Sequence, residues 1–215
     1  MPELKMISFK SKPKETFFAP EYQYYIFETA LKTINIKNLV SLIKGKKKDI
    51  MKLTPTEYVG NTGLSINSTT ARYKSYNIFK WKDKNINSLK KAIIKVHNKI
   101  LEILDQPPAK ELYGQCWVNI MKKGEYIKPH LHNASSTTYL GGHFCLQSKD
   151  TSTYYINPIR QINNPEVYNS KNKLGKLTLF QNNIPHYTDK TKSERITLAF
   201  DLSIKNDINN FERLI

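Results

Sequence analysis

Residues 126–144 read YIKPHLHNASSTTYLGGHF and hold three of the five histidines of the chain, His130, His132 and His143. Only one residue separates His130 from His132. Pro129 biases the residue before it toward extended backbone, and on an extended segment side chains i and i+2 point the same way. Two imidazoles on one face of a strand make half of a metal site. A further imidazole, His186, follows His132 by 54 positions, within LTLFQNNIPHYTDKTKSERITLAFDL. Nine positions later comes Arg195, with Thr197 beside it on one face of a strand and Ile196, Leu198 and Phe200 on the other. If the apolar face packs on a core, the Arg195/Thr197 face must meet something polar. A cation next to a hydroxyl suits a bound carboxylate. An acid of the chain itself, such as Glu194 or Asp201, is the other partner open to Arg195.

These side chains need short strands to hold them, and the second half of the chain has them. Segments 112–121, 137–146, 152–157, 175–182 and 194–204 are rich in aromatic and β-branched residues and are separated by Gly, Asn, Pro and Lys turns. That texture predicts antiparallel strands in a sandwich or barrel. His143, between Leu140 and Phe144, is expected to be a packed or surface strand residue, with a substrate-pocket or spare-ligand role as the alternative. Gly141 and Gly142 are expected to permit a bulge or a close backbone approach. Asn119 and Tyr126 lie near enough in sequence to line a pocket beside the histidines.

The first half reads differently. Residues 1–20, punctuated by Pro13 and Pro20, predict an irregular or edge-strand lead-in. Residues 21–44 predict a helix on Phe27, Leu31, Ile34 and Leu39, followed by a turn at Lys44–Lys48. Residues 49–80, with Gly60 and Gly63, predict loops around short strands. The spacing of Leu89, Ile93, Val96, Ile100 and Ile103 predicts a helix from Asn87 to Leu104, capped by Asn87 or Ser88 and ended by Pro107-Pro108. His97 is expected at its surface or boundary. Helices buttressing a β-sandwich, as one domain, is the architecture these elements imply.

Composition sets the frame. The chain has 215 residues, 39% of them hydrophobic, which suits one folded core. The first residues lack the apolar centre of a signal peptide and no run is long enough to span a bilayer, so an intracellular, soluble, cytoplasmic protein is expected. Cys116 and Cys145 make no CxxC pair and are expected as buried thiols. The net charge of +16 suits a nucleic-acid partner. However, only four of the 34 basic residues are Arg, and Lys, Asn and Ile, all with A/T-rich codons, are abundant together. A solvated basic face is the default reading of such a charge.

The pattern H-x-H, then PH after a strand and a turn, then R-x-T, resembles the Fe(II)- and 2-oxoglutarate-dependent oxygenases, in particular their prolyl-hydroxylase-like branch. The resemblance covers residues 75–204 and is clearest in CWVNIMKKGEYIKPHLHN and GKLTLFQNNIPHYTDKTKSERITLAFDL. It implies a double-stranded β-helix: an α+β, mainly β jelly-roll of cupin type over 111–204, supported by helical and mixed structure over 1–110 and followed by a tail at 205–215. It also implies that His130, His132 and His186 bind Fe(II), that Arg195 and Thr197 hold the distal carboxylate of 2-oxoglutarate, and that Asn119 and Tyr126 line the co-substrate pocket. The activity so implied is hydroxylation of a prolyl, other peptidyl or small-molecule substrate by O2, with 2-oxoglutarate decarboxylated to succinate. One position departs from the pattern. The family carries a carboxylate where this chain has His132, and three neutral imidazoles leave Fe(II) at +2 rather than +1. A zinc or three-histidine β-sandwich module, or an inactive relative holding nucleic acid on its basic surface, is the alternative.

Overall fold

The hydrophobic and polar faces of the strands read above fall on opposite sides of one large sheet. The computed structural model describes residues 3–56, 62–132, 136–206 and 210–215; Gly60 lies outside them. In chain order the elements are β1 (Lys5–Lys10), β2 (Gln23–Ala30), α1 (Ile36–Lys52), α2 (Lys84–Ile103), β3 (Tyr113–Met121), β4 (Thr138–Gln147), β5 (Ser152–Ile156), β6 (Val167–Lys171), β7 (Lys176–Gln181), β8 (His186–Thr188), β9 (Arg195–Ser203) and β10 (Glu212–Arg213). Two short 3-10 turns, Thr70–Ser75 and Ile78–Lys80, precede α2.

A seven-stranded sheet has the order β1-β2-β7-β4-β9-β3-β10, and a three-stranded sheet the order β6-β5-β8. All pairings are antiparallel. From β3 onward the chain passes back and forth between the two sheets. Segment 127–130 adds to the small one: His130 and His186 exchange backbone hydrogen bonds of 3.1 and 3.0 Å, and Thr188 N donates to the Ile127 carbonyl at 3.0 Å. This is a double-stranded β-helix.

On one side of the large sheet, Ile196, Leu198, Phe200 and Leu202 of β9 join Leu177 and Leu179 of β7 and Val118 and Ile120 of β3. The helices cover this face. From α2, Ile86, Leu89, Ile93, Val96 and Ile100 are buried in the same cluster, while Ile103 is 41% exposed and ends the stripe. The helix starts earlier than its stripe suggested. Asp83 caps it, its Oδ1 accepting from Asn85 N at 2.7 Å and Ile86 N at 3.2 Å. His97 is fully buried against this core, not at the surface, and its Nε2 is hydrogen-bonded to the Tyr139 hydroxyl. The β4 backbone runs close under the core here. A Cβ built on Gly142 would lie 2.3 Å from Phe200 Cζ, so glycine answers to close approach of a ring and not to a bulge. The register shifts of β4 fall elsewhere, at Thr138/Leu140 and Cys145/Gln147.

The predicted helix over 21–44 is a correction. Gln23–Ala30 is a strand between β1 and β7, and the helix begins at Ile36. Asn35 caps it, Oδ1 accepting from Asn38 N at 3.1 Å. The Lys44–Lys48 run is no turn. It is the solvent face of α1, whose buried stripe is Leu39, Ile43 and Ile50. Gly45 sits inside it with nothing within 4 Å of a built Cβ, so an exposed glycine misread as punctuation costs the helix only about 1 kcal/mol. Residues 70–80 form the 3-10 turns where short strands were expected. The lead-in proved an edge strand, β1, and both cysteines are buried and unbonded. Among the described residues, no helix is long and apolar enough to cross a membrane.

Candidate metal centre and co-substrate cavity

The other side of the large sheet faces the small one across a cavity. Alternation along β9 puts Arg195, Thr197 and Ala199 on its wall, with Trp117 and Asn119 from β3 and His143 from β4. The small sheet supplies Thr153, His186 and Thr188, and the segment that follows Ile127 supplies His130 and His132. The cavity has a volume of about 110 Å³ and is partly open to solvent.

His130, His132 and His186 meet there, offering one nitrogen each within 4.8 Å of one another. The hydrogen bonds decide which nitrogens these are. His130 Nδ1 lies 2.9 Å from the Lys128 carbonyl, and His186 Nδ1 lies 3.1 Å from the Ile184 carbonyl. A carbonyl oxygen only accepts, so in both rings Nδ1 carries the proton and Nε2 keeps its lone pair. His132 Nδ1 is 2.5 Å from Asp201 Oδ1, which leaves its Nε2 toward the same point. Burial, with the neighbouring imidazoles second, pushes His186 well below the ordinary histidine range and His130 down to about 4. Neutral imidazoles with free Nε2 lone pairs are the form that binds a transition metal. Phe180 closes one side, its ring centroid 4.5 Å from that of His186 and 5.4 Å from that of His132. Trp117 stands 5.6 Å from His132 on another side.

Arg195 occupies the same cavity at 2% exposure. Its Nη2 donates to Thr153 Oγ1 at 3.3 Å, while Nε and Nη1 are buried with no partner among the described residues. Burial weighs against its charge, yet a guanidinium stays protonated in proteins. The acids proposed as its partners are engaged elsewhere. Glu194 pairs with Lys44 at 2.9 Å, and Asp201 holds His132. Among the described residues Arg195 makes no ion pair, and burying a cation unpaired costs several kcal/mol in order of magnitude, so an anionic ligand would relieve it. That observation, with three Nε2 lone pairs in the same cavity, fits Fe(II) and a dicarboxylate co-substrate.

Thr197 is buried beside Arg195 on the same face. Asn119, its cross-strand partner, also lines the cavity, with Oδ1 accepting from Thr70 Oγ1 at 2.7 Å. Tyr126 is not brought to the site: it is 40% exposed and outside the cavity lining. His143 is packed rather than at the surface, and it lines the cavity, as its alternative pocket reading allowed. Its Nε2 is 2.9 Å from the Tyr155 hydroxyl and its Nδ1 has no partner among the described residues. Burial first and Arg195 second keep it neutral. Sequence reasoning did not find the Tyr155 contact, which comes from a strand of the opposite sheet. It named Asp201 only as a partner for Arg195, although i+6 along β9 places that acid on the cavity face.

Residues 115–201 match the family model described as "Putative 2OG-Fe(II) oxygenase", a span that contains the three histidines, Arg195 and Thr197. Among solved structures, a prolyl-4-hydroxylase of Pseudomonas putida is similar with a TM-score of 0.57 at 12% identity, over 84% of this chain and 93% of that one. A Trichoplax adhaerens prolyl hydroxylase, in complex with a hypoxia inducible factor oxygen degradation domain peptide fragment, matches with 0.51 at 9% identity over 78% and 77%. The alpha ketoglutarate dependent epimerase SnoN from nogalamycin biosynthesis matches with 0.52 at 8% identity over 82% and 76%. At such identities these structures establish the fold. Among curated proteins, none matches this chain. The resemblance read from the motifs stands: family match and fold together make this chain similar to 2-oxoglutarate- and Fe(II)-dependent oxygenases, a family whose cofactors are Fe(II), 2-oxoglutarate and O2.

Proposed function

We propose that the chain is a 2-oxoglutarate-dependent hydroxylase. His130, His132 and His186 would hold Fe(II) through Nε2, and Arg195 with Thr197 would hold the C5 carboxylate of 2-oxoglutarate. The observation that carries the reading is the buried, unpartnered edge of Arg195 in the cavity of the three imidazoles. A zinc-stabilised module needs three or four ligands but has no use for that cation, whose burial without an anion is unfavourable. Bound Fe(II) and 2-oxoglutarate supply the oxidising chemistry, in which O2 is consumed, CO2 and succinate are released and the substrate gains a hydroxyl. The protein residues bind and orient. Lys128 and Ile184 carbonyls fix the tautomers of two ligands, Arg195 fixes the far end of the co-substrate, and Phe180 and Trp117 keep water from the ligand rings.

The substrate would enter past Tyr73, Trp117 and Leu131, which line the cavity beside the histidines. A prolyl or other peptidyl substrate is supported by the peptide complex of the Trichoplax neighbour, and a small molecule by the epimerase. Nucleic acid as partner rests on net charge alone.

The reading can be tested without a substrate. With Zn(II) standing in for iron, 2-oxoglutarate should raise the Tm of the metal-loaded protein by several degrees, about what saturation at 100 times Kd gives. Glutarate has both carboxylates but no keto oxygen to chelate with, and should raise it much less. Equal shifts from the two acids would mean capture by charge alone and would contradict the assignment.

A further inference from the structure

Of the three clustered imidazoles, only His132 directs its Nδ1 to a charged acceptor. His130 and His186 donate to backbone carbonyls, whereas His132 Nδ1 lies 2.5 Å from Asp201 Oδ1. The pair is largely removed from water, with side chains 7% and 15% exposed, where a charge-assisted hydrogen bond is strong. Among the described residues Asp201 makes no other ion pair. Arg195, six residues back on the same face, turns to Thr153 instead. The backbone is arranged for this contact. Gly141 is the β4 partner of Asp201, and a Cβ built there would stand 2.8 Å from His132 Nδ1 and 2.9 Å from Asn182 Oδ1. Glycine leaves the room that the ring occupies in reaching the acid.

We infer that Asp201 is a positioning residue for the metal centre, holding His132 through Nδ1–H so that Nε2 faces the ion. The inference rests on the proposed ligand set. The imidazole leans its proton on a carboxylate, which makes Nε2 a more basic and partly anionic donor. His132 and Asp201 together then do the work of the directly ligating carboxylate that position 132 lacks. The negative charge is kept, an imidazole ring and one hydrogen bond further from the ion.

The test is a double-mutant cycle on the full chain, read by anaerobic Co(II) and Fe(II) titration: wild type, Asp201→Asn, His132→Asp and the double variant. Asp201→Asn is near-isosteric and keeps an acceptor, so its Tm without metal should stay close to wild type while affinity falls about 10- to 100-fold. It should also raise the Fe(III)/Fe(II) potential, because anionic character at the ligand has been withdrawn. In the His132→Asp background the charge is supplied directly, and the same substitution should change affinity less than about threefold. Asp201→Asn with wild-type affinity and potential would overturn the inference, as would an equal loss in both backgrounds. If Asp201→Asn lowers the apoprotein Tm strongly, the role is structural and the inference also fails. Failure of wild type itself to bind metal would instead remove the ligand assignment on which the inference stands.

Discussion

Arg195→Ala is expected to raise the 2-oxoglutarate concentration needed for half-saturation by about two orders of magnitude, with metal content unchanged. Truncating one partner of a buried charge pair costs about 2–5 kcal/mol, and 2.7 kcal/mol is roughly a hundredfold. The loss is confined to the co-substrate because Arg195 touches none of the three imidazoles in a hydrogen bond. Among the described residues its one hydrogen-bond partner is Thr153. The same variant should keep or raise the Tm of the apoprotein. Without a co-substrate, wild type buries a guanidinium with two unpartnered nitrogens, and removing it relieves that penalty. Arg195→Lys should fall between, since it keeps the charge and loses the fork that matches a carboxylate. Unchanged 2-oxoglutarate affinity in Arg195→Ala, measured by titration of the metal-loaded protein, would take the co-substrate anchor away from this residue.

His186→Ala is expected to abolish stoichiometric metal binding. It removes one of three nitrogen donors, and the remaining pair, His130 and His132, sits on a single segment that is tied to the body of the protein partly through His186. The backbone of His186 exchanges both hydrogen bonds with His130, and its ring packs 4.3 Å from that of His130 and 4.5 Å from Phe180. The backbone bonds survive the substitution, so the fold should persist while the Nε2 donor and the ring packing are lost. His186→Gln, closer in volume, separates the two effects. Metal analysis after dialysis should find wild type near one equivalent and both variants near none. A variant that keeps one tightly bound ion would show that the three imidazoles are not the ligand set.

The sequence was legible where periodicity is strong and both faces of a strand have a clear role. β3, β4, β5, β7 and β9 follow from alternation, and the two imidazoles of H-x-H come together with the third because the strand–turn–PH pattern fixes where His186 enters the small sheet. β2 was misread because Phe27, Leu31, Ile34 and Leu39 have helix-like spacing, while in fact they run across a strand, a turn and a helix start. Its aromatic run, YQYYIF, was the better signal, since such residues favour a pleated surface. β6, β8 and β10 were missed for another reason. They are two to five residues long, and β6 is largely solvent-facing, so pairing alone defines them. His97 could have been placed correctly: four residues after Ile93, it lies within the apolar stripe of α2. The His143–Tyr155 bond joins different sheets, and no local pattern contains it.

Anaerobic addition of Fe(II) and then of 2-oxoglutarate, followed by visible absorption, tests the central claim most directly. The assignment of three imidazoles and Arg195 to one cavity predicts a weak charge-transfer band of the Fe(II)–2-oxoglutarate chelate that saturates near one equivalent of each. Iron that binds without producing the band would contradict the co-substrate site, and failure to bind iron at all would contradict the metal centre.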